Sequence, residues 1–293
     1  MSLRLHTSRR EETGKGRILA VLIHGLGAPE TWEPWKELLL QDPHLRGVDV
    51  ALARFDTAHL VNGLIGGVTG VLRLFKRELK VSRENVTDIA TLAAELKFEL
   101  DSREYRDYDK VVLIGHSMGG LVGIHYLLQE MEANVPLRVG GYISLATPFN
   151  GAALAQYNKL LEWANHNQQI QELRPNGKFL DDTIRLWTKH KDNSALENVR
   201  FRFCYGQTDE IVERTSALPH VVHSFWRDSV PLPGDHSGIL DVADGAQSVA
   251  YIRVRDHILD VLDQLEAVQS QSETPKQYNV ISLLDSFPFQ ANP

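Results

Sequence analysis

The sequence predicts an α/β protein whose mostly parallel sheet is covered by helices on both faces. Three observations carry this expectation. Residues 18–23 form a continuous apolar run bounded by Gly16 and Gly25, as in a strand buried on both faces. Strand-like runs alternate with stretches of helical spacing, the pattern of parallel strands joined by crossover helices. Finally, the run at 110–114 leads into Gly115-His116-Ser117-Met118-Gly119-Gly120 and then the helical stretch 121–128, a strand–turn–helix unit.

The elements follow in order. After the strand at 18–23, residues 48–55 read as a second strand. Residues 87–100 space Ile89, Leu92, Ala93, Leu96 and Leu100 along one helical face. The strand at 110–114 comes next with its helix, then strands at 139–145 and 199–205, and a further candidate strand at 220–225. Residues 244–265 read as a closing helix. The interval 152–198 carries helical patterns such as Leu180, Ile184 and Trp187 between two strands, so it is expected to be a helical cap inserted in the core. The core is then 1–151 with 199–268, and the polar stretch 269–293 is a C-terminal tail. Residues 59–80 break the rhythm, being Gly-rich and apolar, then basic at Arg73, Lys76, Arg77 and Lys80. Two readings stand for them: a helix on the sheet edge, or a mobile flap making a peripheral membrane contact.

Composition narrows the function classes. The 293 residues suffice for one large domain or two small ones, and 43% hydrophobic with 24% charged residues is ordinary for a soluble globular chain. A net charge of -7 leaves no basic excess to neutralise phosphates, so nucleic acid is not an expected partner. Cys204 is the one cysteine, in an apolar strand-like run, and is expected in the core. Residues 1–17 lack the apolar segment of a signal peptide and no run of 18 apolar residues occurs, so a cytoplasmic location is expected.

The turn at 115–119 has the form G-x-S-x-G. Such a turn strains the serine backbone and lifts its hydroxyl above the sheet edge, and its glycines are needed where a side chain would clash with neighbouring backbone. A serine so presented is a candidate nucleophile, but its hydroxyl is weak until a base takes its proton and an acid orients that base. Both appear downstream. Asp209 follows the strand at 199–205, at the sheet end where open α/β sheets build their sites, and His236 lies in the loop Gly234-Asp235-His236-Ser237-Gly238. Upstream, His24-Gly25-Leu26-Gly27 follows the first buried strand. The backbone N–H groups of Leu26 and Met118 are the expected donors to an oxyanion.

The segments Val21-Leu22-Ile23-His24-Gly25-Leu26-Gly27, Ile114-Gly115-His116-Ser117-Met118-Gly119-Gly120-Leu121 and Leu145-Ala146-Thr147-Pro148-Phe149-Asn150-Gly151 resemble the α/β-hydrolase superfamily. More narrowly, they resemble its lipase-like serine esterases, the group of GPI inositol-deacylase-like and SERAC-type proteins. The stretch at 234–239 is similar to that group's histidine loop, and the resemblance runs over about 17–265. It implies hydrolysis of an ester or thioester through an acyl-enzyme, with no metal or organic cofactor. The implied partner is a small-molecule or lipid ester.

Other residues compete for these roles. Glu210 adjoins Asp209, Asp235 adjoins His236, and Asp181 and Asp182 fall in the cap interval. His24 and His116 read as residues that hold the turns; His125 and His257 lie in helices. Trp32, Trp35, Trp163 and Trp187 read as packing residues, with pocket lining as the alternative, and 147–149 as part of the pocket wall. No GxxxxGK[ST] loop, HExxH motif or Cys/His cluster is present, and 63–70 does not follow a strand in dinucleotide-binding form. The alternatives to a simple esterase are a lipase, phospholipase or thioesterase at a membrane surface, acyl transfer to another alcohol, and a non-catalytic interaction module.

Overall fold

A computed structural model describes residues 2–9, 17–26, 30–57, 87–152, 168–219 and 229–273. Seven strands form one sheet: β1 (Arg4–Ser8), β2 (Ile18–Ile23), β3 (Val48–Arg54), β4 (Lys110–His116), β5 (Val139–Leu145), β6 (Arg200–Gly206) and β7 (Ser229–Leu232). Their order is β1-β3-β2-β4-β5-β6-β7. Every pairing is parallel except β1 with β3. The α-helices among the described residues are α1 (Glu33–Gln41), α2 (Ile89–Leu100), α3 (Met118–Glu132), α4 (Gln168–Glu172), α5 (Lys178–His190), α6 (Arg214–Ala217) and α7 (Val249–Glu273).

The α/β class and its doubly covered parallel sheet are as the sequence predicts. All six residues of β2 and all seven of β5 are buried, because helices cover both faces. On one face α2 packs against α3, and α3 against α5. On the other, α1 meets α7 through Trp35 and Tyr251, whose rings lie 6.1 Å apart, and Trp35 Nε1 donates to Leu240 O at 2.9 Å. The chain leaves β2 toward β3 on one side and returns to β4 on the other. The crevice beyond the β2 and β4 carboxyl ends is therefore the switch point where such sheets bind ligands. Ile23 pairs with Gly115, which brings the turns after β2 and β4 side by side.

Two strands carry no periodic signal in the sequence. β1 has only Leu5 as an apolar residue and is an edge strand. The N–H groups of Leu5 and of Leu3 just before the strand donate to Glu99 and Glu95 of α2, at 3.1 and 2.7 Å, which blunts an edge that could otherwise pair with another chain. β7 contains Pro231, tolerated because β7 is the opposite edge. The 220–225 candidate lies outside the described residues. The closing helix starts at Val249, after a 3-10 turn at Gly245–Gln247, and runs to Glu273, into the stretch read as tail. The described helices of 152–198 lie on the core. Glu172 of α4 accepts from Ile89 N at 2.9 Å, and α5 sets Trp187 edge-on to Phe201 of β6. Residues 153–167, with Trp163, and the segment 59–80 lie outside the described residues. No helix among the described residues is long and apolar enough to cross a membrane. Cys204 is fully buried and burial pushes its thiol up to about 12, which leaves it a packing residue.

Candidate active site

The turn after β4 is built by exclusion of side chains. A Cβ on Gly115 would lie 2.4 Å from Gly120 Cα, and one on Gly119 would lie 2.2 Å from the Ile23 carbonyl oxygen. Neither fits, so only glycine lets α3 begin directly over the end of β2. Ser117 takes φ 53° and ψ −126°, a conformation costing roughly 1–3 kcal/mol for a non-glycine residue. Its backbone is held there: Ser117 N donates to Leu145 O at 2.9 Å, and Gly120 N to Ser117 O at 3.0 Å. The side chain projects off the sheet toward His236.

His236 sits between the other two groups read from sequence. Its Nε2 lies 3.0 Å from Ser117 Oγ, and its Nδ1 lies 2.8 Å from Asp209 Oδ2. Asp209 is 8% exposed, and its Oδ1 accepts the N–H groups of Ile211 and Val212 at 2.9 and 2.8 Å. Burial opposes its ionisation, but the His236 hydrogen bond and charge and these two N–H groups outweigh burial and hold the carboxyl below its usual range. An ionised carboxylate only accepts, so Nδ1 of His236 carries the proton and Nε2 offers its lone pair to Ser117. Glu210 is exposed, and Asp235 turns into its own loop, accepting from Ser237 N and Gly238 N at 3.2 and 2.7 Å. Asp182 pairs with Lys178 and Arg185 on α5, and Asp181 is exposed.

Two further histidines flank Ser117. His24 stacks on Phe55, with ring centres 4.1 Å apart, and its Nδ1–H donates to Gly25 O at 2.8 Å. A carbonyl and the N–H of the next residue lie in one peptide plane and point in opposite directions. Anchoring Gly25 O therefore turns the Leu26 N–H the other way. Gly25 lies against the turn at Ser117, since a Cβ on it would be 2.9 Å from Ser117 Cβ. Met118 N–H is in the first turn of α3 and has no acceptor within the helix. Gly27 lies outside the described residues. His116 Nε2 donates to His236 O at 2.8 Å. The sequence marked His24 and His116 as turn residues without naming these carbonyl partners, which belong to backbone that no spacing rule reaches.

An apolar cavity lies between α3 and α5, lined by Ile124, Phe149, Thr183, Trp187 and Phe203 among others. Phe149 and Trp187 thus face a cavity, but Ser117, Asp209 and His236 are not on its wall. Trp32 and Trp35 are buried in the core.

Buried neutral histidines set an acid limit. Burial lowers His24 to about 4 and His116 and His257 to about 3, the last of these on α7 against Gly141. Each folded-state value lies below the ordinary 6.5, so the unfolded chain takes up the proton first as pH falls. The stability they contribute is fully present above about pH 6.5 and is lost as pH drops toward 4, at about 1.4 kcal/mol per pH unit for each histidine. Urea midpoints measured from pH 7 to 4 should fall steeply, and His257→Gln should make that fall shallower. An unchanged slope in the variant would contradict the assignment.

A model of the Alpha/beta hydrolase family matches residues 20–272. Over 43 residues the sequence is 46% identical to the phosphatidylcholine-sterol acyltransferase of Gallus gallus, a stretch that is 15% of this chain and 10% of that protein. Among solved structures, phospholipase PlaB from Legionella pneumophila is similar with a TM-score of 0.54 at 15% identity, covering 87% of this chain and 64% of that one. A soluble variant of monoglyceride lipase from Saccharomyces cerevisiae, in complex with a substrate analog, gives 0.52 at 18% identity, covering 89% and 91%. At such identities the likeness is one of fold.

Proposed function

This chain belongs to the alpha/beta hydrolase family, and from that premise we propose that it is a serine hydrolase of carboxylic esters working through an acyl-enzyme. The observation that carries the reading is the continuous relay from Ser117 Oγ through His236 to Asp209, with separations of 3.0 and 2.8 Å. Ser117 Oγ attacks the ester carbonyl carbon while His236 Nε2 takes its proton. The oxyanion is met by the N–H groups of Leu26 and Met118. On collapse, His236 returns the proton to the departing alkoxide, which leaves as an alcohol, and Ser117 keeps the acyl group. Water then attacks the acyl-enzyme, His236 accepts its proton, and the acid is released as Ser117 recovers its hydrogen. Asp209 holds the imidazole in the required tautomer throughout. Within this reading the subgroup is the lipase-like serine esterases, 152–198 serves as the insert governing access, and the lone, buried Cys204 fits a reducing compartment such as the cytoplasm.

A fluorophosphonate probe tests this directly. Intact protein should gain one adduct, mapped to the peptide holding Ser117, and Ser117→Ala should gain none. A folded wild type that stays unlabelled would overturn the proposal.

A second reading, lipid esters at a membrane surface, is favoured by the local identity to an acyltransferase whose name specifies phosphatidylcholine. A chain-length series of p-nitrophenyl esters, run with and without phosphatidylcholine vesicles, separates the two. Long-chain preference with vesicle binding supports lipid; preference for acetate or butyrate without binding removes it.

A further inference from the structure

His116 is spent on neither the proton relay nor the oxyanion, yet it is buried at the centre of the site. Its ring fills the space between the two loops that must be held in register. On one edge, Nε2 lies 2.8 Å from the His236 carbonyl oxygen. On the other, Nδ1 faces the Gly25 turn, where a Cβ on Gly25 would come within 3.3 Å of it. The ring centres of His116 and His236 are 4.9 Å apart at a 45° tilt. A carbonyl oxygen can only accept, so the proton sits on Nε2 and the tautomer of His116 is set by its partner.

We propose that His116 is a positioning residue for His236, a neutral donor that pins the base's backbone so that its Nε2 stays 3.0 Å from Ser117 Oγ. The inference rests on the relay assigned above and adds a residue outside it. Geometry explains why the pin is needed. His236 stands on the loop between β7 and α7, with a 3-10 turn beginning two residues later at Gly238. Its side chain is held at Nδ1 by Asp209, and the loop around it is tied by Thr208 N to Gly234 O and by Ser237 N and Gly238 N to Asp235, but none of these bonds holds the His236 carbonyl. The His116 bond fixes that peptide directly. The donor must also be uncharged, because a cation 4.9 Å from His236 would oppose the imidazolium formed on attack. The ionisable groups facing His116 are His236, Asp209 and His24. Burial lowers the His116 ring and so keeps it neutral.

Two variants separate positioning from bulk. His116→Leu fills much of the volume but donates nothing. His116→Gln places an amide N–H near the same point. The Leu variant should lose about 10- to 100-fold in kcat on a p-nitrophenyl ester with KM nearly unchanged, as expected for a base displaced by a fraction of an ångström to an ångström. The Gln variant should recover most of that loss. Fluorophosphonate labelling rates should follow kcat. The proton on His236 Nδ1, read by NMR in the hydrogen-bonded imidazole region, should weaken or shift in the Leu variant and return in the Gln variant. That signal needs no turnover. If the wild type is neither labelled nor active but the NMR pattern holds, the hydrolase reading fails and the positioning role stands. If the Leu variant keeps wild-type kcat and signal, or Gln does no better than Leu, the positioning role is overturned.

Discussion

Replacing Ser117 or His236 by alanine is expected to lower kcat for ester hydrolysis by about 10⁶-fold, and the double variant should be little worse than either single one. The reason is mutual dependence. Among the described residues, Ser117 Oγ is hydrogen-bonded to His236 Nε2, and each depends on the other. What remains should be the small rate that the Leu26 and Met118 N–H groups and substrate binding supply by themselves. Stopped or continuous assays on a p-nitrophenyl ester, with circular dichroism to verify folding, give the comparison. Additive losses in the double variant would mean that the two residues do not act as one unit. Ser117→Ala should also be no less stable than the wild type by more than a small margin, since the backbone hydrogen bonds that hold the turn survive the change.

Asp209→Asn is expected to lower kcat by about 10⁴-fold while the protein stays folded. The substitution keeps the Oδ1 acceptor that Ile211 and Val212 use, so the loop geometry survives. It replaces the Oδ2 that receives His236 Nδ1–H with an amide that can donate. The imidazole then favours the tautomer with its proton on Nε2, where it cannot take one from Ser117. A comparison with Glu210→Gln sharpens the test, because Glu210 is exposed and should be nearly silent. A large loss at Glu210 with a small one at Asp209 would reassign the acid.

The parts of the fold legible in the sequence were those under strong burial. β2, β5 and α2 announce themselves because nearly every residue, or one in three to four, must be apolar. The edge strands β1 and β7 did not, because an edge is half solvated and its bonds can go to side chains such as Glu95 and Glu99. α7 begins at Val249 and not at 244 because Gly245, at φ 56°, first makes a separate 3-10 turn. At the site, Ser117, Asp209 and His236 were nameable from motif and order. The partners of His24 and His116 were not, since both donate to backbone carbonyls, which every residue possesses.

The sequence by itself determined which residue types are available and which turn must be glycine. The G-x-S-x-G-G run has one economical use, and the order of serine, aspartate and histidine restricts how they can meet. Only the tertiary structure decided that they do meet at hydrogen-bonding distance. That depends on the Ile23–Gly115 register, on β6 lying two strands from β4, and on loops whose ends are set by the whole sheet. Local patterns report burial and backbone conformation, which are short-range properties. A separation of 3.0 Å between Ser117 and His236, more than a hundred positions apart, is the outcome of packing the entire chain.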